Sequence, residues 1–98
     1  MTFGKDMYDV EHKSGGANLP KKLVIGVDGS GIDFIDSTRT KLVQHTSFDR
    51  CEQWGASEKL IVFMIKSPAG TSKYEFVTKQ GQAICELITE ITVAEEQQ

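Results

Sequence analysis

A chain of 98 residues with 26% charged and 39% apolar residues fits one soluble domain spanning residues 1–98, because a chain of this size buries roughly two-thirds of its unfolded surface. Its formal net charge of −3 argues against nucleic-acid binding and against general attraction to anionic lipid, which both require a basic face. Two isolated cysteines, Cys51 and Cys85, predict reduced thiols in a cytoplasmic protein rather than a disulfide framework.

The start of the sequence, MTFGKDMYDVEHK, lacks the apolar core of a signal peptide. The longest apolar run, Leu60–Ile65, is far too short to span a bilayer. Any membrane association is therefore expected to be peripheral or to go through a partner.

The first half of the chain predicts three strands. Met7–His12 alternates as a strand, and the polar stretch Lys13–Pro20, rich in turn-forming residues, predicts a long mobile loop. Lys22–Asp28 and Ile32–Ile35 predict a hairpin, in which Asp28–Gly31 supplies the positive-φ residues of a tight turn.

The second half predicts four further strands, separated by polar turns at 36–41 and 67–70. These strands are Leu42–Ser47, Cys51–Ala56, Leu60–Ile65 and Lys73–Val77. The continuous apolar run of the third predicts a strand that is covered on both faces.

The chain ends in one amphipathic helix, predicted from Thr78 to Glu95, with Thr78 as its N-cap. Its apolar stripe recurs at i, i+3, i+4 and i+7 and consists of Ile84, Leu87, Ile88 and Ile91. Seven strands in two crossed sheets, closed at one end by this helix, would bury every apolar face. The predicted fold is mainly β with one C-terminal helix.

The sequence offers no catalytic, metal or cofactor motif. His12 and His45 are far apart, and a nucleophile such as Cys51 would need a positioned base and oxyanion donors. Two lone cysteines and two scattered histidines do not make a metal site. The glycines between 26 and 31 lack the spacing of the dinucleotide fingerprint and open a strand rather than a helix. We therefore expect recognition rather than catalysis.

Several segments, in order along the chain, resemble the third lobe of a FERM domain. The resemblance is closest to the FERM of MyTH4-FERM tails in unconventional myosins of the myosin VII type, and next to that of talin. It rests on apolar patterns and one Trp-containing segment, in Phe3–Val10, Leu23–Val27, Ser30–Asp36, Phe48–Arg50, Gln53–Ser57 and the strand-turn-strand-helix end. It implies a PH-like, or PTB-like, seven-stranded orthogonal sandwich capped by a helix.

The resemblance also implies one lobe of a longer, three-lobed protein that acts without catalysis. Its work would be that of an adaptor, linking cargo or the cytoplasmic tails of membrane receptors to actin-based machinery at the cell cortex. A second interpretation is a structural lobe that packs against sister FERM lobes, or takes part in autoinhibition, with no ligand of its own. A third is talin-like binding of an adhesion receptor with peripheral lipid contact.

The fifth strand is expected to be an open sheet edge beside the last helix, where a peptide could add as a further strand. Trp54 is the main candidate anchor, since the resembling talin segment contacts its partner with a Trp at the matching position. Arg50 and Arg39 are the only arginines, so an unphosphorylated peptide is expected. The candidate peptide-binding residues are Arg50, Cys51, Glu52, Gln53, Trp54, Gly55, Ala56 and Ser57 on the strand and Gln80, Ala83 and Leu87 on the helix.

Three lysines, Lys13, Lys21 and Lys22, flank the first long loop and are the candidates for weak contact with an anionic lipid headgroup. Asp9 and Glu11 lie nearby in the sequence, and no second basic cluster reinforces the lysines. A solvated loop is the simpler expectation.

Overall fold

The computed structural model describes residues 5–96, which form seven antiparallel strands followed by one α-helix. The strands are β1 (Asp6–Ser14), β2 (Lys22–Asp28), β3 (Gly31–Asp36), β4 (Leu42–Thr46), β5 (Cys51–Ala56), β6 (Leu60–Ser67) and β7 (Gly70–Val77). A short 3-10 helix, Phe48–Arg50, precedes β5, and the α-helix α1 spans Gly81–Glu96. The predicted order of elements is therefore confirmed.

The seven strands form one hydrogen-bonded sheet in the order β4-β3-β2-β1-β7-β6-β5. Strand β1 joins its two halves, because Asp6–Glu11 pairs with β2 whereas Glu11–Ser14 pairs with β7 across a register shift. The predicted pair of separate sheets is thus one bent sheet whose halves pack on each other. Strands β4 and β5 lie at its two ends.

Aromatic side chains fill the space between the two halves of the sheet. The ring of Phe34 on β3 lies 5.2 Å from that of Phe76 on β7 and 6.4 Å from that of Phe63 on β6. Helix α1 closes the core with Ile84, Ile88 and Ile91, all fully buried. Because α1 contains several β-branched residues and a glycine, this burial rather than intrinsic propensity stabilises it.

The predicted N-cap of the helix is two residues out of place. The backbone carbonyl of Gln80 accepts the N–H of Ile84, so Gln80 is the N-cap and the helix begins at Gly81. The Thr78 hydroxyl instead accepts the N–H of Gln80 at 3.0 Å, a turn that leads into the helix.

The β2–β3 turn uses one positive-φ glycine, Gly31, at φ +140°. A Cβ at this position would lie 2.3 Å from the carbonyl oxygen of Thr46 on β4. Glycine is therefore required here both by conformation and by the close approach of the neighbouring chain.

The prediction that Leu60–Ile65 is covered on both faces is wrong. Ile61, Phe63 and Ile65 are buried in the core, but Leu60, Val62 and Met64 point to the other face of the sheet and are only half-buried. That face is called the outer face below. An apolar run alone cannot distinguish a strand that is buried on both faces from one that is buried on one face only, because every position of the run can be apolar in either case.

Candidate functional site

Strand β5 ends the sheet, and it carries backbone groups that no neighbouring strand pairs in the described residues. The N–H of Ser57 donates to the carbonyl of Leu60 at 2.9 Å, which fixes the alternation of the ladder. Since successive backbone groups of an antiparallel strand point to opposite sides, those of Gln53 and Gly55 face β6. The N–H and C=O groups of Trp54 and Ala56 therefore face the free edge.

Helix α1 packs beside this edge. A Cβ added at Gly81 would lie 2.9 Å from the Cβ of Ala56, so the first turn of the helix approaches β5 closely. Further along, the indole Nε1 of Trp54 donates to the Thr89 hydroxyl at 3.2 Å. Strand β5 and helix α1 are thus bridged by a half-buried tryptophan whose indole also packs on the core.

The helix residues that meet β5 differ from those expected. Thr89 contacts Trp54 directly, and with 3.6 residues per turn Cys85 shares its flank of the helix. Ala83 and Leu87 lie on the opposite flank by the same periodicity. Leu87 is half-buried against the core and Ala83 is exposed, as is the N-cap Gln80.

The strand residues around Trp54 divide between two faces. Ala56 is half-buried on the helix side, whereas Gln53, Gly55 and Ser57 are exposed and lie on the outer face. These exposed residues of β5 adjoin an apolar depression of about 380 Å³ above Leu60, Val62 and Met64.

The sequence analysis did not identify Leu60, Val62 and Met64 as site residues. The alternation of side chains along a strand could have separated them from Ile61, Phe63 and Ile65.

The start of the candidate strand is occupied by intramolecular contacts. Cys51 is buried in the core, where burial and the nearby Cys85 thiol raise the pKa of its thiol to about 11. The carboxylate of the exposed Glu52 accepts a hydrogen bond from the Thr71 hydroxyl at 2.8 Å. Arg50 is exposed beside a separate hollow formed with Asp49 and the β6–β7 turn.

The three candidate lipid-binding lysines lie near the paired ends of β1 and β2, interleaved with carboxylates. Lys22 is paired in register with Glu11. The pKa of Glu75 on the neighbouring strand is lowered, first by a hydrogen bond from the Ser14 hydroxyl and then by Lys73 and Lys13. The charge of these lysines is therefore partly balanced within the fold.

Within the described residues, 5–96, no helix is long and apolar enough to cross a bilayer. The same part of the chain contains no cluster of three or more His, Cys, Asp and Glu side chains able to hold a metal ion.

Comparison with solved structures finds the same fold in a segment of larger proteins. The C-terminal MyTH4-FERM domain of human myosin 7b, solved in complex with the harmonin-a PDZ3 domain, matches with a TM-score of 0.78 at 15% identity over 93% of this chain. Dictyostelium discoideum myosin VII matches through its MyTH4-FERM domains MF2, in a mutant form, and MF1, each with a TM-score of 0.78, at 13% and 17% identity over 93% and 94% of this chain.

This chain spans 18% of the length of each of those three structures. No curated protein sequence matches it. These structural likenesses agree with the FERM third lobe that the sequence resembles.

The family model of the PTB domain of IRS-1 type matches residues 9–95, which is nearly the whole chain and includes all of β2 to β7. Its fold, seven antiparallel strands closed by a C-terminal helix, is the one described above. PTB domains are protein-interaction modules. The chain belongs to the PTB domain family of the IRS-1 type.

Proposed function

We propose that this chain is a non-catalytic adaptor lobe of a cytoskeletal, myosin-tail-like protein, acting in the cytoplasm at the actin cortex. In this proposal a cargo or receptor tail binds in extended form along β5, in the groove beside α1. The observation that carries it is the open edge of β5, where Trp54 and Ala56 direct backbone groups that have no strand partner within residues 5–96 away from β6, next to the helix. Such an edge binds a peptide through main-chain hydrogen bonds.

The family and the structural likenesses support the same role. PTB domains bind other proteins, and the human myosin 7b domain of similar fold was solved with a PDZ domain as its partner. An unphosphorylated segment fits the groove better than a phosphotyrosine, since Arg50 lies outside it and Arg39 hydrogen-bonds Asp9 on the other half of the sheet.

Amide hydrogen exchange tests this proposal at single residues. On addition of an extended tail peptide, the amides of Trp54 and Ala56 should become protected, because they gain hydrogen bonds to the new strand. Those of Gln53 and Gly55 already face β6 and should change little. Equal protection changes at all four residues, or none with any peptide, would contradict strand addition at this edge.

Trp54 is best tested by two substitutions that spare the core. Trp54→Phe keeps an aromatic ring against the core but removes the indole N–H, and Thr89→Val removes the hydroxyl that accepts it. If the bridged groove positions the peptide, both variants should weaken peptide binding by about fivefold while the melting temperature changes little. A large loss of stability with unchanged binding would instead indicate a packing role.

A structural lobe is the second candidate function, and exposed apolar residues support it. Met7, Leu42 and Val77 are 37%, 54% and 41% exposed and share the outer face. A sister FERM lobe could cover them. Replacing Leu42 and Val77 by Ser in the multi-lobe protein should then loosen lobe packing, seen as easier proteolysis between lobes, without affecting peptides on β5.

Contact with an anionic lipid headgroup would fall to the three lysines that flank the first long loop. Lys13, Lys21 and Lys22 would have to act together, and Glu11 and Glu75 lie among them. In that case, vesicles containing phosphoinositide should shift the amide NMR signals of these three lysines. The substitution Lys22→Glu should abolish the shifts at Lys13 and Lys21.

A further inference from the structure

The apolar depression on the outer face opens directly onto the free edge of β5. It is lined by the whole segment Gln53–Ser57 together with Leu60, Val62 and Met64. Gly55 leaves room in it, because a Cβ built at this residue meets no atom of the described residues within 4 Å. The depression therefore lies where a strand added to β5 would place every second side chain.

An added strand presents its side chains alternately to the two faces of the sheet. On one side they would lie beside Gly55 and above the apolar side chains of β6, which favours an aliphatic residue. On the other side they would lie beside Trp54 and the flank of α1 that carries Thr89. The two faces of β5 thus select for different chemistry at alternate positions of the partner.

The side of the helix near Thr89 carries a negative charge. Glu86 precedes Thr89 by one turn and is exposed, where it accepts a hydrogen bond from Gln82 at 3.3 Å. Residues 81–96 contain no Lys or Arg, so no basic side chain of the helix itself balances the charge of Glu86. The half-buried indole of Trp54 adds an aromatic face that attracts a cation.

We propose that the segment bound at β5 is an extended stretch of a partner protein in which aliphatic residues alternate with lysine or arginine, the aliphatic ones filling the depression at Gly55 and the basic ones facing Trp54 and Glu86. This inference rests on the proposed peptide-binding function and specifies its partner. An acidic segment would meet repulsion from the helix flank, and a wholly polar one would leave the depression unfilled.

Three synthetic peptides as long as β5, six residues, test the pattern. The first alternates valine with lysine, the second replaces each lysine with glutamate, and the third replaces each valine with serine. We expect the second and third to bind at least about tenfold more weakly than the first, measured by calorimetry. The loss with glutamate should diminish as salt is raised, since exposed charges are screened.

Two protein variants locate the two contacts. Gly55→Leu should fill the depression and weaken binding of the valine–lysine peptide about tenfold. As a control, Ala17→Leu places a leucine on the exposed β1–β2 loop and should leave this binding unchanged. Glu86→Lys should weaken the same peptide about fivefold. Glu90→Lys makes the same charge change roughly 40° further round the helix from Thr89 and should have a smaller effect.

The outcomes separate this inference from the function on which it rests. If all three peptides protect the amides of Trp54 and Ala56 with equal affinity, strand addition holds and the proposed pattern is wrong. If none binds, both are overturned. A concentration-dependent dimer in light scattering, abolished by Gly55→Leu, would assign the depression to a second copy of the chain and also overturn the pattern.

Discussion

Strands β2 and β6 contain similar sequences but have different surroundings. Both contain an apolar run, which in β2 is Leu23–Val27, interrupted only by Gly26, and in β6 is Leu60–Ile65, which is unbroken. In β2 every residue of the run is buried, whereas in β6 burial alternates strictly. An apolar run therefore indicates a strand with a core face, but the cover of its second face comes from elsewhere in the fold.

The cover differs because of what stands beside each strand. On the outer face of β2, the aliphatic part of the Lys5 side chain covers Gly26. On the same face, Val24 is paired with the buried Ile35. The ammonium group of Lys5 is held by the buried Asp33, and that hydrogen bond is the main reason its pKa is raised. On β6, the corresponding neighbour is Gly55, which covers nothing. The uncovered face lies beside β5, at the end of the sheet.

The largest effect should come from the same substitution on the two outer faces. Val24→Ala removes two fully buried methyl groups and should lower the free energy of unfolding by about 2 kcal/mol. Val62→Ala removes half-exposed ones and should cost less than about 1 kcal/mol. Urea unfolding of both variants measures the difference, and equal losses would show that the outer face of β6 is covered in solution.

Two glycines on the outer face should respond in opposite ways. Gly26→Ala would bring a Cβ within 3.2 Å of both Ile35 and Lys5, and overpacking of this kind costs about 1 kcal/mol. Gly55→Ala meets nothing and should be neutral or stabilise by a few tenths of a kcal/mol, since it restricts the unfolded chain. Thermal unfolding distinguishes them. A destabilised Gly55→Ala would mean that the depression is narrower than described.

Much of the fold could be predicted from the sequence because the strands, the turns and the helix depend on local residue patterns. The bounds of β2 and β5 agree with the predicted strands, and the Ile84, Ile88 and Ile91 stripe is the buried face of α1. The N-cap was misplaced because Thr78 has the preferred side chain for capping, whereas Gln80 is defined only by the backbone.

The candidate site was less predictable, because it depends on which surfaces the fold brings together. The open edge at β5 could be expected from the resemblance, but the stripe of α1 identifies only its buried face and does not tell which of its two flanks lies against β5. In the structure Thr89, rather than Ala83 and Leu87, lies against Trp54. The depression above Val62 likewise depends on the register between β5 and β6, which no local pattern specifies.

The smallest effect concerns the turn that ends the covered half of the sheet. The Asp36 carboxylate accepts hydrogen bonds from the Thr38 hydroxyl and from the backbone N–H groups of Thr40 and Lys41. These hydrogen bonds, that from Thr38 first, lower the pKa of Asp36 from 3.8 to about 2. A carboxyl whose pKa falls on folding stabilises the folded state above its unfolded pKa, and this contribution is lost as the pH falls through the folded pKa.

Acid should therefore loosen this turn and leave the β5–β6 hairpin intact. As the pH falls from about 5 to 2, the protection factors of the Thr40 and Lys41 amides should decrease. That of Ser57, which donates to a backbone carbonyl, should not. Thr38→Val removes the largest cause of the lowered pKa, so carbon-detected NMR titration should find Asp36 closer to its ordinary value. An unchanged Asp36 titration would show that the two backbone donors alone hold the turn.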